Sequence, residues 1–185
     1  IQVLVDKGLL VRRRGVGTQI VHGAISRRSE LSSLYDDLVD QGKEPRTAVL
    51  DFETLPATPA LAEDLGVDLA GPVLHMRRLR LADAGPIAVL ENHLLDPSGI
   101  NRYELEHVGL YEILRRRGTT LRVARQLVSA RAATADEAIL LDVPAGSPVL
   151  TLARTAYDHD GSVVEIGRHV YRPDRHTIEF TIVDK

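Results

Sequence analysis

Apolar and polar residues alternate along most of the chain in short runs that predict strands, with a few stretches of helical periodicity between them. Helices are predicted over residues 32–42, 58–66, 110–117 and 134–143, and strands over residues 44–55, 72–82, 86–95, 120–132, 148–158, 162–172 and 175–183. Tight turns such as Asp160-Gly161, rather than helices, join the later strands. The pattern therefore predicts an α+β fold, a mainly antiparallel β-sheet flanked by helices.

The first 21 residues carry a different pattern. Residues 1–8 are typical of the end of a helix that stops at Gly8, and the runs LLVRRR and TQIV, joined by a glycine-containing turn, predict a β-hairpin. A helix followed by a basic hairpin is the arrangement at the end of a winged helix-turn-helix. In such a domain the hairpin would contact DNA through Arg12, Arg13, Arg14 and Gly15. A solvated basic hairpin explains the pattern equally well.

Charge is distributed unevenly along the chain. Residues 1–28 contain six basic residues and one acidic residue, so their net charge is +5, and because the whole chain has net charge −3, residues 29–185 have net charge −8. A basic head on an acidic body is expected when only the head faces phosphates. The chain has no cysteine, no signal peptide and no apolar run of the roughly 20 residues that span a membrane. We therefore expect a soluble cytoplasmic protein without a membrane partner.

The candidate for ligand chemistry is the strand predicted over residues 72–82. Strand alternation puts Met76, Arg78 and Arg80 on one face and Arg77 on the other. Two guanidinium groups two residues apart are roughly 7 Å apart and can together hold a carboxylate or phosphate. The alternative is a solvated strand face whose arginines pair with residues of a neighbouring strand, such as Glu91.

The order of these motifs resembles a known family. LVDKGLLVRRRGVGTQIV resembles the end of the recognition helix and the wing of GntR-superfamily repressors, and LRLADAGPIAVLENHLL, GLYEIL and the run from Ala133 to Phe180 resemble the UTRA effector-binding domain of the HutC subfamily. The resemblance implies a chorismate lyase-like fold, a homodimer, and repression of transcription until a small metabolite binds. It divides the chain into a winged-helix remnant (1–21), a linker (22–30) and the UTRA domain (31–185). The earlier helices of the winged helix are missing from this sequence, so we do not expect the chain alone to bind an operator.

The resemblance also indicates which residues contact the effector. Arginines at the positions of Arg78 and Arg80 would hold its acidic part, and Glu165 and Tyr171 match positions that contact its hydroxyl or amine groups. Further effector-contacting positions are those of Glu91, which is acidic, and of Tyr111 and Tyr35, which are aromatic. For each residue a purely structural role is the alternative. Tyr35 and Gly109 stand where phosphosugar-sensing relatives often have serine. We therefore expect an anionic effector that is a carboxylate, or a less charged molecule, rather than a sugar phosphate.

Two other classes of function remain open. The fold analogy makes a chorismate lyase-like enzyme acting on a small carboxylate the main alternative, and a pure dimerisation module is the third. No catalytic residue, metal ligand or cofactor is predicted, because the sequence has no nucleophile elbow, Walker loop, dinucleotide fingerprint or histidine pair at helical spacing. Lone histidines are more often structural than catalytic.

Overall fold

The computed structural model of the chain describes residues 10–13, 17–20, 31–83, 85–95 and 99–178. The chain divides into two compact units, one made of Leu31–His176 and the other of Ile1–Glu30 together with Thr177–Lys185. In the second of these, strands β1 (Leu10–Arg13) and β2 (Gly17–Ile20) pair antiparallel, with Leu10 opposite Ile20. The predicted hairpin is therefore confirmed. The predicted helix over residues 1–8 and the linker over residues 22–30 lie outside the described residues.

The Leu31–His176 unit is built on a six-stranded antiparallel sheet with strand order β3-β4-β5-β8-β7-β6. Its strands are β3 (Pro45–Pro56), β4 (Pro72–Ala82), β5 (Gly85–Leu94), β6 (Val123–Ala132), β7 (Pro148–Tyr157) and β8 (Val163–Tyr171). All five strand pairs in the sheet are antiparallel. The predicted fold class is confirmed.

Short helices cover both faces of this sheet. They are α1 (Leu34–Asp40), α2 (Pro59–Leu65), α3 (Arg102–His107), α4 (Leu110–Arg116) and α5 (Ala135–Leu141). The side chains of Ser33, Thr58 and Thr134 cap α1, α2 and α5, because each accepts a hydrogen bond from a backbone N–H of the first turn. None of the helices in the described part of the chain is long and apolar enough to span a membrane.

Each face of the sheet has its own hydrophobic core. On one face, which we call the front, Leu74, Met76 and Leu94 pack against Leu105 of α3 and Ile113 of α4. On the back, two separate clusters form. One joins α5 to the sheet through Leu141, Val89 and Val149, and the other joins α2 through Leu65, Val73 and Ile166. The front of the sheet therefore carries an apolar core, and strand alternation directs polar side chains to the same face.

The structure departs from the predicted elements in two places, a helix that was missed and a strand that was placed wrongly. Helix α3 was not predicted, although Asn101 caps it by accepting a hydrogen bond from the backbone N–H of Glu104. The strand predicted from residue 175 does not begin there. Residues 175–178 are not strand, because the backbone turns at Pro173-Asp174 and the carbonyl of Arg172 accepts hydrogen bonds from the amides of Arg175 and His176. Residues 179–185 lie outside the described residues.

Candidate effector site

A group of polar side chains lies on the front of the sheet, beside the apolar core. Strand register creates it: Met76, Asn92, Gly167 and Arg154 form one cross-strand row, and Arg78 begins the next row, which contains His169. Tyr111 of α4 reaches the same place from the helix layer. We call this group the polar cluster, and its members are Arg78, Arg80, Asn92, Tyr111, Arg154, Glu165, His169 and Tyr171.

Glu165 is the centre of the hydrogen-bond network in this cluster. Its side chain is fully buried, and its two oxygens accept hydrogen bonds from Asn92 Nδ2 at 2.5 Å and from the Tyr111 hydroxyl at 2.9 Å. Arg154 donates to the same Tyr111 hydroxyl at 3.0 Å. The carboxylate is thus held by neutral donors, with a guanidinium one hydrogen bond away.

His169 continues the network as a neutral ring. Its Nε2 lies 3.2 Å from Asn92 Nδ2, and its Nδ1 lies 3.0 Å from the Tyr171 hydroxyl. Because the amide nitrogen of Asn92 can only donate, Nε2 accepts and the proton is on Nδ1. Burial lowers the pKa of His169 well below its ordinary value, and the charges of Arg154 and Arg78 add to that effect. Gly167 makes this convergence possible, since a Cβ there would lie only 2.5 Å from Glu165 Oε1.

The two arginines of β4 are buried to an unusual degree for charged side chains. Arg78 is 3% exposed and Arg80 is 1% exposed. Arg78 donates to the side-chain oxygen of Asn92, Arg80 donates to the Thr47 hydroxyl, and the Arg80 guanidinium lies over the Tyr35 ring at 4.8 Å from its centroid. Within the described part of the chain, the Nε atoms of both arginines are buried without a hydrogen-bond partner. Each arginine therefore keeps an unused donor inside the protein.

Positive charge exceeds negative charge in the polar cluster. Burial lowers the pKa of Arg78 to about 10, with Glu165 offsetting part of the effect, and burial together with the nearby Arg78 lowers the pKa of Arg80 to about 9. Burial alone would lower the pKa of Arg154, but Tyr111 and Glu165 more than offset it, so that pKa is raised. All three guanidiniums are charged at neutral pH, whereas the cluster contains one carboxylate, whose own pKa is raised by burial. An anion is what this environment lacks.

Tyr35 and Asp36 of α1 form one edge of this site. The Tyr35 hydroxyl donates to the backbone oxygen of His107 at 2.7 Å, which holds the ring against Arg80. The Asp36 carboxylate accepts from the Ser33 hydroxyl at 2.9 Å and lies against Gly109, where an added Cβ would meet Asp36 Oδ1 at 2.6 Å. A serine at residue 109 would displace Asp36. The glycine noted in the sequence and the carboxylate of Asp36 are thus complementary.

The structure brings most of the sequence-predicted effector residues together. Arg78, Arg80, Tyr111, Glu165 and Tyr171 belong to the polar cluster, and Tyr35 stacks on Arg80. Glu91 does not join them, because the register places it opposite Arg77 and therefore on the back of the sheet. Of the predicted DNA-contacting residues, Arg12 and Arg13 lie in β1, while Arg14 and Gly15 lie outside the described residues.

Three members of the polar cluster, Asn92, Arg154 and His169, were not predicted as effector residues, and two of them, Asn92 and Arg154, lie at otherwise apolar strand positions. Each has a signal in the sequence, since Asn92 interrupts the apolar set Leu90 and Leu94, and Arg154 lies between Leu152 and Ala156 on alternate positions. A polar residue at an otherwise apolar position of a strand is expected to be buried and hydrogen-bonded. The pairing of these two residues across β8 could not be read from alternation alone.

Comparison with known proteins identifies the family of the chain. The model of the UTRA domain family matches residues 40–177. The HTH-type transcriptional repressor NagR of Bacillus subtilis (strain 168) is 30% identical over 182 residues, which cover 94% of this chain and 73% of NagR.

Solved structures extend the comparison to the fold. The structure of a transcriptional regulator from Streptomyces coelicolor is similar with a TM-score of 0.70 and 42% identity, covering 77% of this chain and 96% of that one. The effector domain of PhnF from Mycobacterium smegmatis is similar with a TM-score of 0.76 and 26% identity, covering 84% of this chain and 98% of that domain. The chain therefore belongs to the UTRA domain family, as the sensing domain of a GntR-type transcriptional regulator.

Proposed function

We propose that the polar cluster binds a small anionic effector, and that this binding releases operator DNA from the full-length repressor. The observation that carries the proposal is the pair of buried arginines, Arg78 and Arg80, each with an Nε donor that has no partner in the described part of the chain. A carboxylate or phosphate supplies both the missing acceptor and the missing negative charge. Charged side chains this deeply buried are costly without such a partner, so the site is prepared for a ligand.

The rest of the cluster supports binding of a ligand that also carries hydroxyl or amine groups. Glu165 can accept hydrogen bonds, and Tyr111 and Tyr171 can donate or accept them. The Asp36 carboxylate lies close enough to Arg80 to raise the pKa of that arginine. Because Asp36 is itself negative, it would repel a phosphate, which carries more negative charge than a single carboxylate. We therefore propose a carboxylate, or a molecule of similarly low charge, in preference to a sugar phosphate.

The proposed regulatory mechanism is a thermodynamic linkage between effector and DNA. We propose that the β1–β2 hairpin is part of the wing of a winged helix-turn-helix, with Arg12, Arg13, Arg14 and Gly15 contacting DNA, and that residues 22–30 link it to the sensing domain. To change the repressor from mostly DNA-bound to mostly DNA-free, the effector must bind the DNA-free state more tightly than the DNA-bound state by about 5.5 kcal/mol. A repressor acts on the chromosome, and we accordingly place the protein in the cytoplasm.

We further propose that the sensing domains pair as a homodimer through β6. This strand forms one edge of the six-stranded sheet, and it exposes Val123, Leu127 and Val128, with Leu127 67% exposed. An apolar edge strand of this kind is a template for pairing with a second chain. Pairing would fix the distance between two winged domains, which must match the spacing of operator half-sites.

The experiment uses the full-length repressor with a reporter gene under its operator. Replacing Arg78 and Arg80 with methionine removes the proposed anion site, and the expected result is repression that no longer responds to the inducer. Arg77→Met, on the back of the sheet, is the matched control and should leave induction intact. Induction that survives in the double variant would show that the effector binds elsewhere.

The lyase alternative can be tested on the same protein. Curated relatives such as NagR are named as regulators, which favours sensing over catalysis. Incubation of the purified chain with chorismate should leave the substrate unchanged, and turnover that is lost when Arg78 is replaced would establish the enzyme instead.

A further inference from the structure

The back of the sheet carries a group of metal-binding side chains that the sensing function does not use. His75 of β4 lies directly opposite His93 of β5, and Glu91 lies two pairs further along the same ladder, which places it next to His93 on the same face. On the other side of His75, the register pairs it with Glu53 of β3. We call His75, Glu91 and His93 the histidine site.

The donor atoms of this group point toward one another. His75 Nε2 lies 3.4 Å from Glu91 Oε1, and His93 Nε2 lies 4.0 Å from the same oxygen. The ligand atoms of the three residues all lie within 4.8 Å of one another. Ligands of a tetrahedral zinc ion, each about 2.0–2.2 Å from the metal, are about 3.3–3.6 Å apart. The distance from His75 to Glu91 already fits, the distance from His93 to Glu91 needs a shift of a few tenths of an ångström, and the ligand atoms of the two histidines lie within 4.8 Å of each other.

The surroundings leave the histidine site accessible to a cation. The side chains of His75 and His93 are 15% and 17% exposed, which leaves the site open to solvent ions. Within the described residues, the Nδ1 atom of His93 is buried without a hydrogen-bond partner. The neighbouring Arg77 is engaged by Asp136 of α5.

Glu53 is placed to orient the first ligand. Its carboxylate lies 3.8 Å from His75 Nδ1, the ring nitrogen that faces away from Glu91. Within the described residues, this buried Nδ1 has no hydrogen-bond partner at closer range. A carboxylate on the far nitrogen of a ligating histidine fixes its tautomer and strengthens it as a ligand.

The position of the group in the fold explains why it is polar. On the back of the sheet it lies between the two apolar clusters, because Val73 belongs to the α2 cluster while Val89 packs with the α5 cluster. Neither cluster needs histidine for packing. From these contacts we propose that His75, His93 and Glu91 bind a divalent transition-metal ion of the zinc type, with Glu53 as the residue that positions His75. Two imidazoles and one carboxylate leave a fourth position for water.

The experiment is calorimetric titration of the purified chain with zinc chloride, after removal of any affinity tag and treatment with a chelator. The wild type is expected to bind one equivalent with raised thermal stability, and H75Q/H93Q is expected to lose that binding. Glu53→Gln should weaken affinity by about 10–100-fold, the usual effect of removing an outer-shell partner. Replacing zinc with cobalt should produce visible absorption bands that H75Q/H93Q lacks.

His159 provides the matched control, because within the described residues it forms a second group of three potential ligands, with Asp158 and Asp160 in an exposed turn. His159→Gln should bind zinc like the wild type. Loss of binding in H159Q, or unchanged binding in H75Q/H93Q, would overturn the proposal. Should H75Q/H93Q fail to fold, Glu91→Gln decides, since this partly exposed side chain can be changed without touching the cores; unchanged affinity in E91Q would equally reject the site.

Discussion

Three arginines of β4 show how strongly position decides the role of a side chain. Arg77 is partly exposed and pairs with Asp136, whereas its neighbour Arg78 is buried and bonded to Asn92. Arg80 follows the same alternation into the front of the sheet. The buried pair carries charge that the protein itself does not fully compensate, and this imbalance is the feature that a ligand would correct.

A first prediction concerns the cost of that imbalance. Replacing Arg80 with methionine should leave the free energy of unfolding unchanged or raise it by about 1–4 kcal/mol, because an apolar side chain of similar size relieves the burial of a charge. Urea denaturation of the ligand-free chain measures this. Arg77→Met, in contrast, should lose no more than about 1 kcal/mol, since it removes a partly exposed ion pair. A loss of several kcal/mol in R80M would mean that the arginine is structural.

Sequence alternation predicts this residue-scale picture in part. It places Arg78 and Arg80 on one face of β4. Applied to β5, the same rule places Glu91 and Asn92 on opposite faces, because neighbouring residues of a strand point to opposite faces. What alternation cannot supply is the register between strands. The contact of Asn92 with Glu165 depends on the pairing of β5 with β8, and these two residues are 73 positions apart in the sequence.

At the scale of elements, local side-chain chemistry explains where helices begin. In α5, Thr134 caps the first turn, and the Thr134 amide donates to the Glu137 carboxylate at 2.9 Å, which completes a capping box. In α3, the equivalent Asn101 and Glu104 were missed because the helix has only six residues and little apolar periodicity. Caps can thus be recognised in a sequence, but very short helices depend on tertiary packing, here through the buried Leu105.

The second prediction concerns the pH dependence of α5. Arg131 donates to both oxygens of Glu137 at 2.7 Å and lowers the pKa of that carboxyl to about 2. Since the folded pKa is below the ordinary 4.5, the stabilisation is complete above about pH 4.5 and is lost as pH falls through about 2. Glu137→Gln keeps the cap but loses the ion pair, so it should be less stable than wild type by about 1 kcal/mol at pH 7.

The measurement is thermal unfolding of both proteins between pH 2 and pH 7. The difference in stability should be constant down to about pH 5 and should shrink as the pH approaches 2. A difference that persists unchanged at the lowest pH would show that Glu137 acts through packing rather than charge.

At the scale of the whole molecule, the sheet order determines which surfaces remain for partners. The chain places β8 between β5 and β7, which leaves β3 and β6 at the two edges. That order could not be predicted, because alternation identifies strands and hairpins but not the pairing of distant strands. It matters for assembly, since β6 is the edge that exposes Val123, Leu127 and Val128.

The third prediction tests the proposed pairing through β6. Leu127→Glu should convert a dimer to a monomer, because two carboxylates would face each other across the edge-to-edge interface. Size-exclusion chromatography with light scattering measures the mass. Ile139→Glu is the control, since Ile139 is an exposed apolar residue on α5 rather than on β6. A dimer that persists in L127E, or one that dissociates in I139E, would place the interface elsewhere.

The central claim is that Arg78 and Arg80 form the anion-binding part of the effector site, and thermal melting of the chain with defined anions tests it most directly. The probes are gluconate, lactate and glucosamine 6-phosphate, compared in the wild type, R80M and R77M. A carboxylate is expected to raise the melting temperature of the wild type and of R77M but not of R80M. Equal shifts in the wild type and R80M, no shift with any of the three anions, or a shift that is largest with glucosamine 6-phosphate, would contradict it.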